Sequence, residues 1–270
     1  MNERTLRNGV RIPSVGLGVF RTPSGAETRR VVREALACGY RHVDTARIYG
    51  NEADVAEGIR ESGLARSEVF VTTKIWNDDH GYDATLRAAE RSLERMRFDY
   101  VDLLLLHWPV VNKRLDSWRA LERLLSERRA RAIGVSNYME HHVRELLAKC
   151  EEPPSVNQVE ASPFLQHRGL RALCDEHGIV VEAYSPLTKG VRLGHPVVVR
   201  IATERGRTAA QVLLRWGLQR GFVVLPKSTR SARLVENFAV FDFALSEDEM
   251  TALDGLEEGL VTGWDPRAAP

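Results

Sequence analysis

The most constraining feature of this chain is a regular alternation between short apolar runs and longer segments with helical periodicity. Helical segments such as residues 84–96 and 117–125 separate eight apolar runs, and nothing between them resembles a linker. Repeated strand–helix pairs predict a parallel sheet, and eight of them predict one closed (β/α)8 barrel, a TIM barrel. The predicted strands are Val15–Phe20, Arg41–Asp44, Val69–Lys74, Val101–His107, Ala132–Asn137, Ser155–Gln158, Ile179–Tyr184 and Phe222–Lys227.

Chain length and the composition of one strand favour the barrel over an open, doubly wound sheet. At 270 residues the chain suits a single α/β barrel domain spanning residues 1–270. Val101–Leu106 is a near-continuous apolar run, as expected of a strand covered on both faces. A doubly wound dinucleotide-binding sheet would carry G-x-G-x-x-G after its first strand, whereas Gly16 and Gly18 lack the third glycine.

Local signals predict a hairpin before the barrel and the starts of three helices. Thr5–Pro13 predicts a small N-terminal β-hairpin, with Asn8 and Gly9 supplying the positive φ angles of a tight turn. Three helical segments open with the Ser/Thr-x-x-Glu/Gln pattern of a capping box. They are Ser24 with Glu27, Thr208 with Gln211, and Ser246 with Glu249.

Charge and cysteine content argue against several partners and sites. The 38 basic and 37 acidic residues nearly balance, so no nucleic-acid partner is expected. Cys38, Cys150 and Cys174 form no C-x-x-C pair, which predicts reduced, buried thiols. The first residues lack the apolar core of a signal peptide, and no apolar run reaches transmembrane length. We therefore expect a soluble cytoplasmic protein with no membrane partner.

Seven of the eight predicted strands end on a polar or ionisable residue. In a parallel barrel the carboxyl ends of all strands meet at one face, where such folds build their sites. One polar residue there is unremarkable, but seven are difficult to explain structurally. Two of the chain's five lysines lie among them. The end residues are Phe20, Asp44, Lys74, His107, Asn137, Gln158, Tyr184 and Lys227.

Four residues of this region, Asp44, Tyr49, Lys74 and His107, suit proton transfer to an oxygen that gains negative charge. A tyrosine hydroxyl has a pKa of about 10, and a neighbouring lysine ammonium lowers that pKa by favouring the phenolate. An aspartate would keep the lysine charged and positioned, and a histidine would orient a carbonyl oxygen. The alternative is a structural Asp44–Lys74 ion pair, with His107 in the core and Tyr49 in the wall.

The later strand ends are suited to hold a cofactor with a flat heterocycle. Tyr184 offers a flat face for stacking, and polar side chains nearby offer hydrogen bonds to a carboxamide. Those side chains are Ser136, Asn137 and Gln158.

A cluster of cations and hydroxyls follows the last predicted strand, at a helix start. Helix amino termini attract phosphate, and arginine adds bidentate donors. Three cations favour a monoester phosphate, which predicts NADP(H) rather than NAD(H). The cluster comprises Lys227, Ser228, Thr229, Arg230 and Arg233.

Two other kinds of site lack their motifs. A metal-dependent hydrolase would need H-x-H at a strand end or H-E-x-x-H, and the eight histidines form neither. The adjacent His141 and His142 lie at a polar helix start, which indicates a surface role. No G-x-S-x-G marks a serine nucleophile. We therefore expect no metal site.

A series of motifs resembles the aldo-keto reductases nearly from end to end. In order they are Gly39–Glu52 (GYRHVDTARIYGNE), Leu104–Pro109 (LLLHWP), Ile133–Asn137 (IGVSN), Leu225–Ser228 (LPKS) and Arg233–Asn237 (RLVEN). The resemblance implies a (β/α)8 barrel that binds NADPH in an extended pose without a Rossmann domain. It is strongest to the prokaryotic branch that includes 2,5-diketo-D-gluconate reductases and broad-range aldehyde or α-ketoaldehyde reductases.

The resemblance also implies a role for each matching residue. The catalytic tetrad would be Asp44, Tyr49, Lys74 and His107, with Tyr49 as general acid. The nicotinamide would contact Ser136, Asn137, Gln158 and the stacking Tyr184. The pyrophosphate would lie along Ser185 and Leu187, the 2′-phosphate on Lys227, Ser228 and Arg233, and the adenine near Glu236 and Asn237.

Aromatic residues at the strand ends predict the walls of a substrate pocket. They are Phe20, Trp76 and Trp108, with Trp264 as a candidate from the tail. Residues 110–115 and the tail are shorter than in many members of the family the chain resembles. A shortened rim predicts an open pocket and loose selectivity.

Together these observations predict NADPH-dependent reduction of small aldehydes or ketones, including α-keto aldehydes or diketo sugar acids, by a monomeric enzyme. One alternative is a barrel that binds the cofactor in a sensing or structural role and turns over little. A weaker alternative is an NADH-linked dehydrogenase of a sugar alcohol. Retention of all four tetrad candidates argues against the sensing role, which needs none of them.

Overall fold

A small antiparallel hairpin precedes the barrel in the computed structural model, which describes residues 3–270. Its strands are β1 (Glu3–Thr5) and β2 (Arg11–Pro13), paired with Arg4 opposite Ile12. Gly9 has a φ of 84°, but Asn8 is not among the residues with positive φ, so the predicted pair of positive angles is wrong for Asn8. Instead the Asn8 side chain accepts a hydrogen bond from the Val10 N–H, as in an Asx turn.

Eight parallel strands follow and form the predicted barrel, each pairing with the next in chain order. The predicted strands are all present, although several ends differ; the first, for example, is confined to two residues. The strands are β3 (Leu17–Gly18), β4 (His42–Asp44), β5 (Phe70–Ile75), β6 (Val101–Leu106), β7 (Ala130–Ser136), β8 (Val156–Glu160), β9 (Val180–Tyr184) and β10 (Val223–Leu225).

The barrel closes where the chain around β3 meets β10. Val15 forms a parallel bridge with Val224, and the Gly16 N–H donates to the Val224 carbonyl oxygen at 2.9 Å. A Cβ at position 16 would lie 2.6 Å from the Leu225 side chain and 2.7 Å from the His42 ring. Glycine is therefore required at this closure, since any larger residue would push the first and last strands apart.

Within residues 3–270, ten helices surround the barrel; two lie between β9 and β10 and two follow β10, where the repeat requires one each. The helices are α1 (Ala26–Ala37), α2 (Glu52–Glu61), α3 (Tyr82–Met96), α4 (Arg114–Ser126), α5 (Glu140–Leu147), α6 (Arg168–Glu176), α7 (Pro196–Arg205), α8 (Ala209–Gln219), α9 (Ser231–Phe238) and α10 (Glu247–Asp254). The fold is the predicted single-domain (β/α)8 barrel. The carboxyl ends of its strands therefore meet at one face, where a site can form.

Two of the three predicted capping boxes are present. Thr208 caps α8 and Ser246 caps α10, each with its reciprocal Gln or Glu. The box predicted at Ser24 is wrong, because the residue that caps α1 is Gly25, with a φ of 93°. The Gly25 N–H instead donates to the Asp54 carboxylate at 2.7 Å, so a side chain from α2 replaces the local cap.

The interior of the barrel is apolar at its amino-terminal end and polar at its carboxyl end. The apolar part, under the hairpin, comprises Leu6, Ile12, Phe70, Leu103, Leu105, Ala132, Val156, Val180 and Val223. Toward the other end the buried side chains are Asp44, Lys74, Gln158 and Glu182. Buried polar groups require partners, so this end is a candidate site.

Among residues 3–270, no helix combines the length and apolar character needed to cross a membrane. Within the same residues, no group of three or more His, Cys, Asp or Glu side chains is placed to hold a metal ion. The three cysteines are free; Cys174 is buried, but Cys38 and Cys150 are only half-buried, so the prediction of buried thiols is wrong for these two. Both lie near helix ends, where the helices leave the core.

Candidate active site

Asp44 and Lys74 form a buried ion pair at the carboxyl end of the barrel. Asp44 ends β4 and Lys74 lies near the end of β5, so adjacent parallel strands bring both to one face. Lys74 Nζ lies 2.6 and 2.8 Å from the two Asp44 carboxylate oxygens and 2.9 Å from the Thr45 carbonyl oxygen. Burial lowers the pKa of Lys74. The Asp44 carboxylate raises it, and together with smaller influences this effect is larger than that of burial, so the net pKa of Lys74 is raised. The ammonium therefore stays charged, with its three N–H groups engaged.

A tight turn after β4 places Tyr49 beside this pair. Residues Arg47–Tyr49 form one 3₁₀ turn, which ends at Gly50 with a left-handed φ of 69°. The next residue, Asn51, is fully buried. Its side chain accepts from the Thr45 hydroxyl at 2.7 Å and donates to the Val19 carbonyl oxygen at 3.1 Å. The turn is thus tied to the barrel on both sides of Tyr49.

Glu52 fixes the helix that follows this turn. Its buried carboxylate accepts from the Thr73 hydroxyl at 2.6 Å and from Arg95 at 2.6 and 2.8 Å. Because Thr73 precedes Lys74 on β5, the same strand positions both the ammonium and the start of α2. Asn51 and Glu52 therefore fix the position of the turn that carries Tyr49.

Three side chains surround the ring of Tyr49, which is half-buried. Its centroid lies 5.0 Å from that of Phe20 and 5.9 Å from that of His107, the latter at a nearly perpendicular angle. Lys74 Nζ lies 5.1 Å from the Tyr49 ring centroid. The structure thus brings the four tetrad candidates together around one point at the mouth of the barrel.

Burial is the largest influence on the Tyr49 hydroxyl, and it raises the pKa above its ordinary value of 10. The Lys74 ammonium lowers the pKa and the Asp44 carboxylate raises it, with a net upward direction. The predicted lowering by Lys74 is present, but the prediction of an unusually acidic phenol is wrong because exclusion of water outweighs it. Tyr49 therefore keeps its proton at neutral pH, as a proton donor must.

His107 is a neutral imidazole next to Tyr49. Burial, reinforced by the charges of Lys74 and His80, holds the pKa of His107 well below its ordinary value of 6.5. Its Nδ1 is enclosed and has no hydrogen-bond partner within the part of the chain described. Nε2 is then the ring nitrogen left to contact an oxygen at the mouth. The Asn137 side chain donates to the His107 carbonyl oxygen at 3.0 Å and steadies this segment.

The residues predicted to hold a carboxamide form one hydrogen-bonded group. Asn137 donates to the Ser136 hydroxyl at 3.2 Å and accepts from the Tyr184 hydroxyl at 2.8 Å. Gln158 donates to Asp44 Oδ2 at 2.8 Å and to Glu182 Oε2 at 2.5 Å. The side-chain N–H groups of Asn137 and Gln158 are thus engaged within the protein, which leaves their carbonyl oxygens as the groups open to further bonds.

The loop after β9 has an unusual backbone. Ser185, Thr188 and Lys189 have φ values of 48°, 51° and 50°, in the left-handed region that non-glycine residues seldom adopt. The Thr188 N–H donates to the Ser185 carbonyl oxygen at 2.8 Å, with the half-buried Leu187 between them. Backbone strain of this kind concentrates at ligand-binding loops, and this loop contains both residues predicted to line a pyrophosphate.

The predicted phosphate cluster lies at the start of α9. Ser228 is buried, and its hydroxyl accepts from the Arg230 N–H at 3.1 Å. The exposed side chains of Lys227, Arg230 and Arg233 make no hydrogen bond or ion pair with residues 3–270. Thr229 accepts at its carbonyl oxygen from Arg30 at 3.0 Å. Three unpaired cations beside a helix amino terminus form a site suited to an anion.

The two residues predicted to contact adenine lie further along α9. The Glu236 carboxylate accepts from the Thr208 hydroxyl at 2.8 Å, which ties α9 to the start of α8. Asn237 is buried in the helix–helix contact. The Glu236 carboxylate is therefore already hydrogen-bonded to Thr208, and it lies on the same helix as Arg233 of the predicted phosphate cluster.

Aromatic side chains line the open mouth. Phe20 is 45% exposed and Trp264 is 68% exposed, large fractions for such residues. The Trp76 ring lies 5.2 Å from His107, and the Trp108 ring lies 6.0 Å from Trp264. Phe20 thus contacts Tyr49 and Trp76 contacts His107, whereas Trp108, next to His107 in sequence, packs with Trp264 from the tail.

Two carboxylates at this end were missed by the sequence reasoning. Glu182 is fully buried beside Gln158, and Glu160 is buried at the end of β8, where it accepts from the Thr262 N–H at 3.0 Å. The available signal was one acidic residue in each of the strands β8 and β9. Both lie two residues from a predicted site residue and therefore on the same face of the strand.

Comparison with known proteins agrees with this geometry. A model described as the aldo/keto reductase family matches residues 14–258. The chain belongs to the aldo/keto reductase family. A 9,11-endoperoxide prostaglandin H2 reductase of Trypanosoma cruzi is 51% identical to this aldo/keto reductase, over 97% of the chain and 94% of that protein. A glyoxal reductase of Bacillus subtilis is 49% identical over 97% of the chain and 95% of that protein.

Solved structures of the family have the same fold. An aldo-keto reductase of Bombyx mori, in complex with NADP, superposes with a TM-score of 0.92 at 32% identity, covering 97% of this chain and 94% of that one.

Proposed function

We propose that this protein is an NADPH-dependent reductase of aldehydes and ketones, with Tyr49 as the general acid. The observation that carries the proposal is the convergence of a protonated tyrosine, a neutral histidine and a charged, buried lysine at one open mouth. Each group is in the protonation state that protonation of a carbonyl oxygen requires.

The residues around the mouth fit a nicotinamide cofactor with a 2′-phosphate. The observations that support this fit are the side-chain carbonyl oxygens of Asn137 and Gln158, the strained loop after β9, and the three cations at the start of α9 that have no partner among residues 3–270. We assign the carboxamide to Ser136, Asn137 and Gln158, ring stacking to Tyr184, the pyrophosphate to Ser185 and Leu187, the 2′-phosphate to Lys227, Ser228, Thr229 and Arg233, and the adenine edge to Glu236 and Asn237. When bound, NADPH supplies the hydride for the carbonyl carbon.

The chain's own groups control the oxygen of the substrate. The Tyr49 and His107 ring centroids lie 5.9 Å apart, so His107 Nε2 and the Tyr49 hydroxyl would both hydrogen-bond a carbonyl oxygen placed between them. As that oxygen gains negative charge, Tyr49 donates its proton, and the Lys74 ammonium stabilises the phenolate left behind. Asp44 keeps the ammonium in place, since it accepts two of its three N–H bonds.

The substrate class proposed is reactive small carbonyls, including α-keto aldehydes and diketo sugar acids. Aromatic walls at Phe20, Trp76 and Trp108 suit flat or apolar groups next to the carbonyl. The mouth is open enough that two of the aromatic residues, Phe20 and Trp264, remain largely exposed. The glyoxal reductase among its relatives supports this class.

Replacing Tyr49 by phenylalanine tests the proposal. Tyr49→Phe should lower kcat for methylglyoxal or an aromatic aldehyde by about 10²- to 10⁴-fold, since the proton donor is lost. The affinity for NADPH, measured by quenching of tryptophan fluorescence, should stay within about twofold because the ring remains. Consumption of NADPH is followed by its absorbance.

Tyr82→Phe is the matched control. Tyr82 is 37% exposed at the start of α3 and makes no contact with the tetrad candidates, so this variant should keep the wild-type rate. Near-full activity of Tyr49→Phe would show that another group donates the proton. Absence of turnover by the wild-type protein across a panel of reactive aldehydes, despite NADPH binding, would favour a sensing role.

A further inference from the structure

A buried carboxyl group lies directly behind the residues assigned to the nicotinamide. Glu182 is on β9, opposite Gln158 on β8 in the register of the two strands. Its side chain is fully enclosed inside the barrel. It is neither an apolar layer residue nor one of the tetrad candidates, so its presence in the barrel interior needs an explanation.

Glu182 and Asp44 together hold one amide group. The two N–H groups of the Gln158 side chain donate one to Asp44 Oδ2, at 2.8 Å, and one to Glu182 Oε2, at 2.5 Å. One hydrogen bond would fix the nitrogen but let the amide plane turn about it. Two bonds, one to Glu182 on the neighbouring strand β9 and one to Asp44 on β4, fix the plane and exclude the flipped amide, whose oxygen would face the Asp44 carboxylate.

The direction of the Gln158 carbonyl follows from this arrangement. Its Oε1 accepts no hydrogen bond from residues 3–270 and is not enclosed, so it is available at the mouth. A carbonyl oxygen accepts a hydrogen bond and donates none. The partner it selects is therefore an N–H group.

We propose that Glu182 is a positioning residue that, through Gln158, presents a fixed carbonyl acceptor to the NH2 half of the nicotinamide carboxamide. The inference rests on the proposed function, since it concerns the same cofactor. It adds to the proposed function that Gln158 accepts from the NH2 group of the carboxamide. This contact depends on Glu182, which does not itself touch the cofactor.

The protonation of Glu182 agrees with a positioning role. Burial, with the neighbouring Asp44 carboxylate, raises the pKa of Glu182 to about 8, so the carboxyl group is mainly neutral at pH 7. A neutral carboxyl group and a carboxamide have nearly the same shape and offer the same carbonyl acceptor. Glu182→Gln should therefore preserve the function of the side chain, whereas Glu182→Met removes the acceptor at similar length.

The test compares two nucleotides that differ only at the carboxamide. NADP⁺ carries –CONH2, and its 3-acetylpyridine analogue carries –COCH3, which keeps the carbonyl but lacks N–H. Dissociation constants at pH 7 are measured by quenching of tryptophan fluorescence. The wild-type protein should bind NADP⁺ about tenfold more tightly than the analogue, because the analogue leaves the Gln158 carbonyl unpaired.

The variants separate positioning from general damage. Glu182→Met should reduce the ratio to about twofold or less, and Glu182→Gln should restore the wild-type ratio. Arg233→Ala, at the other end of the cofactor, should weaken both nucleotides equally and leave the ratio unchanged. Glu182→Leu replaces the methionine variant if that protein does not fold, as judged by circular dichroism.

If a folded Glu182→Met or Glu182→Leu protein has the same ratio of dissociation constants as the wild-type protein, the inference alone is overturned, because the cofactor still binds as proposed. A ratio near one for the wild-type protein itself would also overturn the inference alone. Failure of the wild-type protein to bind either nucleotide would overturn both the proposed function and this inference.

Discussion

Lys74 determines the electrostatics at the mouth of the barrel. Among the three largest influences on the Tyr49 pKa, burial and the Asp44 carboxylate raise it, and only the Lys74 ammonium lowers it and so favours the phenolate. Its N–H groups are taken by Asp44 and Thr45, so it acts on Tyr49 mainly through its charge. At the scale of single residues, the proposed chemistry depends on this charge remaining buried.

Lys74→Met should slow carbonyl reduction and change its pH dependence. Removing the ammonium removes the cause that lowers the Tyr49 pKa, so that pKa rises further. Activity of an acid catalyst is lost as pH rises through its pKa, and in the variant this loss should move to higher pH. The weaker acid should also lower kcat at pH 7 by about 10²-fold or more. The profile of log kcat between pH 6 and 10.5 measures both effects.

The single variant leaves the Asp44 carboxylate buried and unpaired, which destabilises a protein by about 3–5 kcal/mol. The double variant Asp44→Asn/Lys74→Met removes both charges and is the appropriate control. It should recover thermal stability relative to Lys74→Met without recovering the rate. If stability and rate recover together, the lysine acts only structurally.

At the scale of the elements, the role proposed for α9 is to distinguish NADPH from NADH by binding the 2′-phosphate. Arg233→Ala should weaken NADPH binding about ten- to a hundredfold, as expected for loss of a hydrogen bond between charged groups, and leave NADH binding unchanged. Arg200→Ala is the control: Arg200 on α7 is 54% exposed and pairs with Glu204 at 3.0 Å. Equal weakening of NADPH and NADH by Arg233→Ala would place the 2′-phosphate elsewhere.

The elements also show how far the sequence alone leads. Asp44, Lys74 and His107 could be predicted as neighbours because parallel strands end at one face, so strand position implies proximity. The Ser24 cap could not, because the Gly25 N–H bonds to Asp54 on a different helix. The sequence marks Glu182 as an acidic residue on a strand but not the role proposed for it, since that role depends on Gln158, which contacts Asp44, 114 residues away. Local patterns specify strand ends but not the contacts across the barrel.

At the scale of the whole molecule, hydrogen bonds attach the C-terminal tail to the end of β8 and to the loop after β9. The buried Glu160 carboxylate accepts from the backbone N–H groups of Thr262 and Gly263, at 3.0 and 3.2 Å, and from the Thr262 hydroxyl. Lys189 donates to the Thr262 carbonyl oxygen at 2.6 Å. These contacts hold Trp264 beside Trp108, so a residue far along the chain joins the aromatic residues proposed to line the pocket. Oligomeric state stays a prediction.

Glu160→Gln should release this tail. A carboxylate accepts all three hydrogen bonds, whereas an amide must turn its NH2 toward at least one of the donors. Trp264 would then leave Trp108, and the KM for an aromatic aldehyde should rise about fivefold, the loss of roughly one aromatic contact. NADPH affinity should not change, and proteolysis within residues 259–270 should become faster.

Glu258→Gln is the control with the same change of charge on the same segment. Glu258 is 42% exposed and pairs with Arg192 at 2.7 Å on the surface, so its loss should leave KM within about twofold and proteolysis unchanged. If Glu160→Gln behaves like Glu258→Gln in both measurements, the tail is held by other contacts. If proteolysis accelerates while KM stays constant, the tail is mobile in the variant but Trp264 does not contact the substrate. Only a joint change in both measurements supports a pocket built partly from the tail.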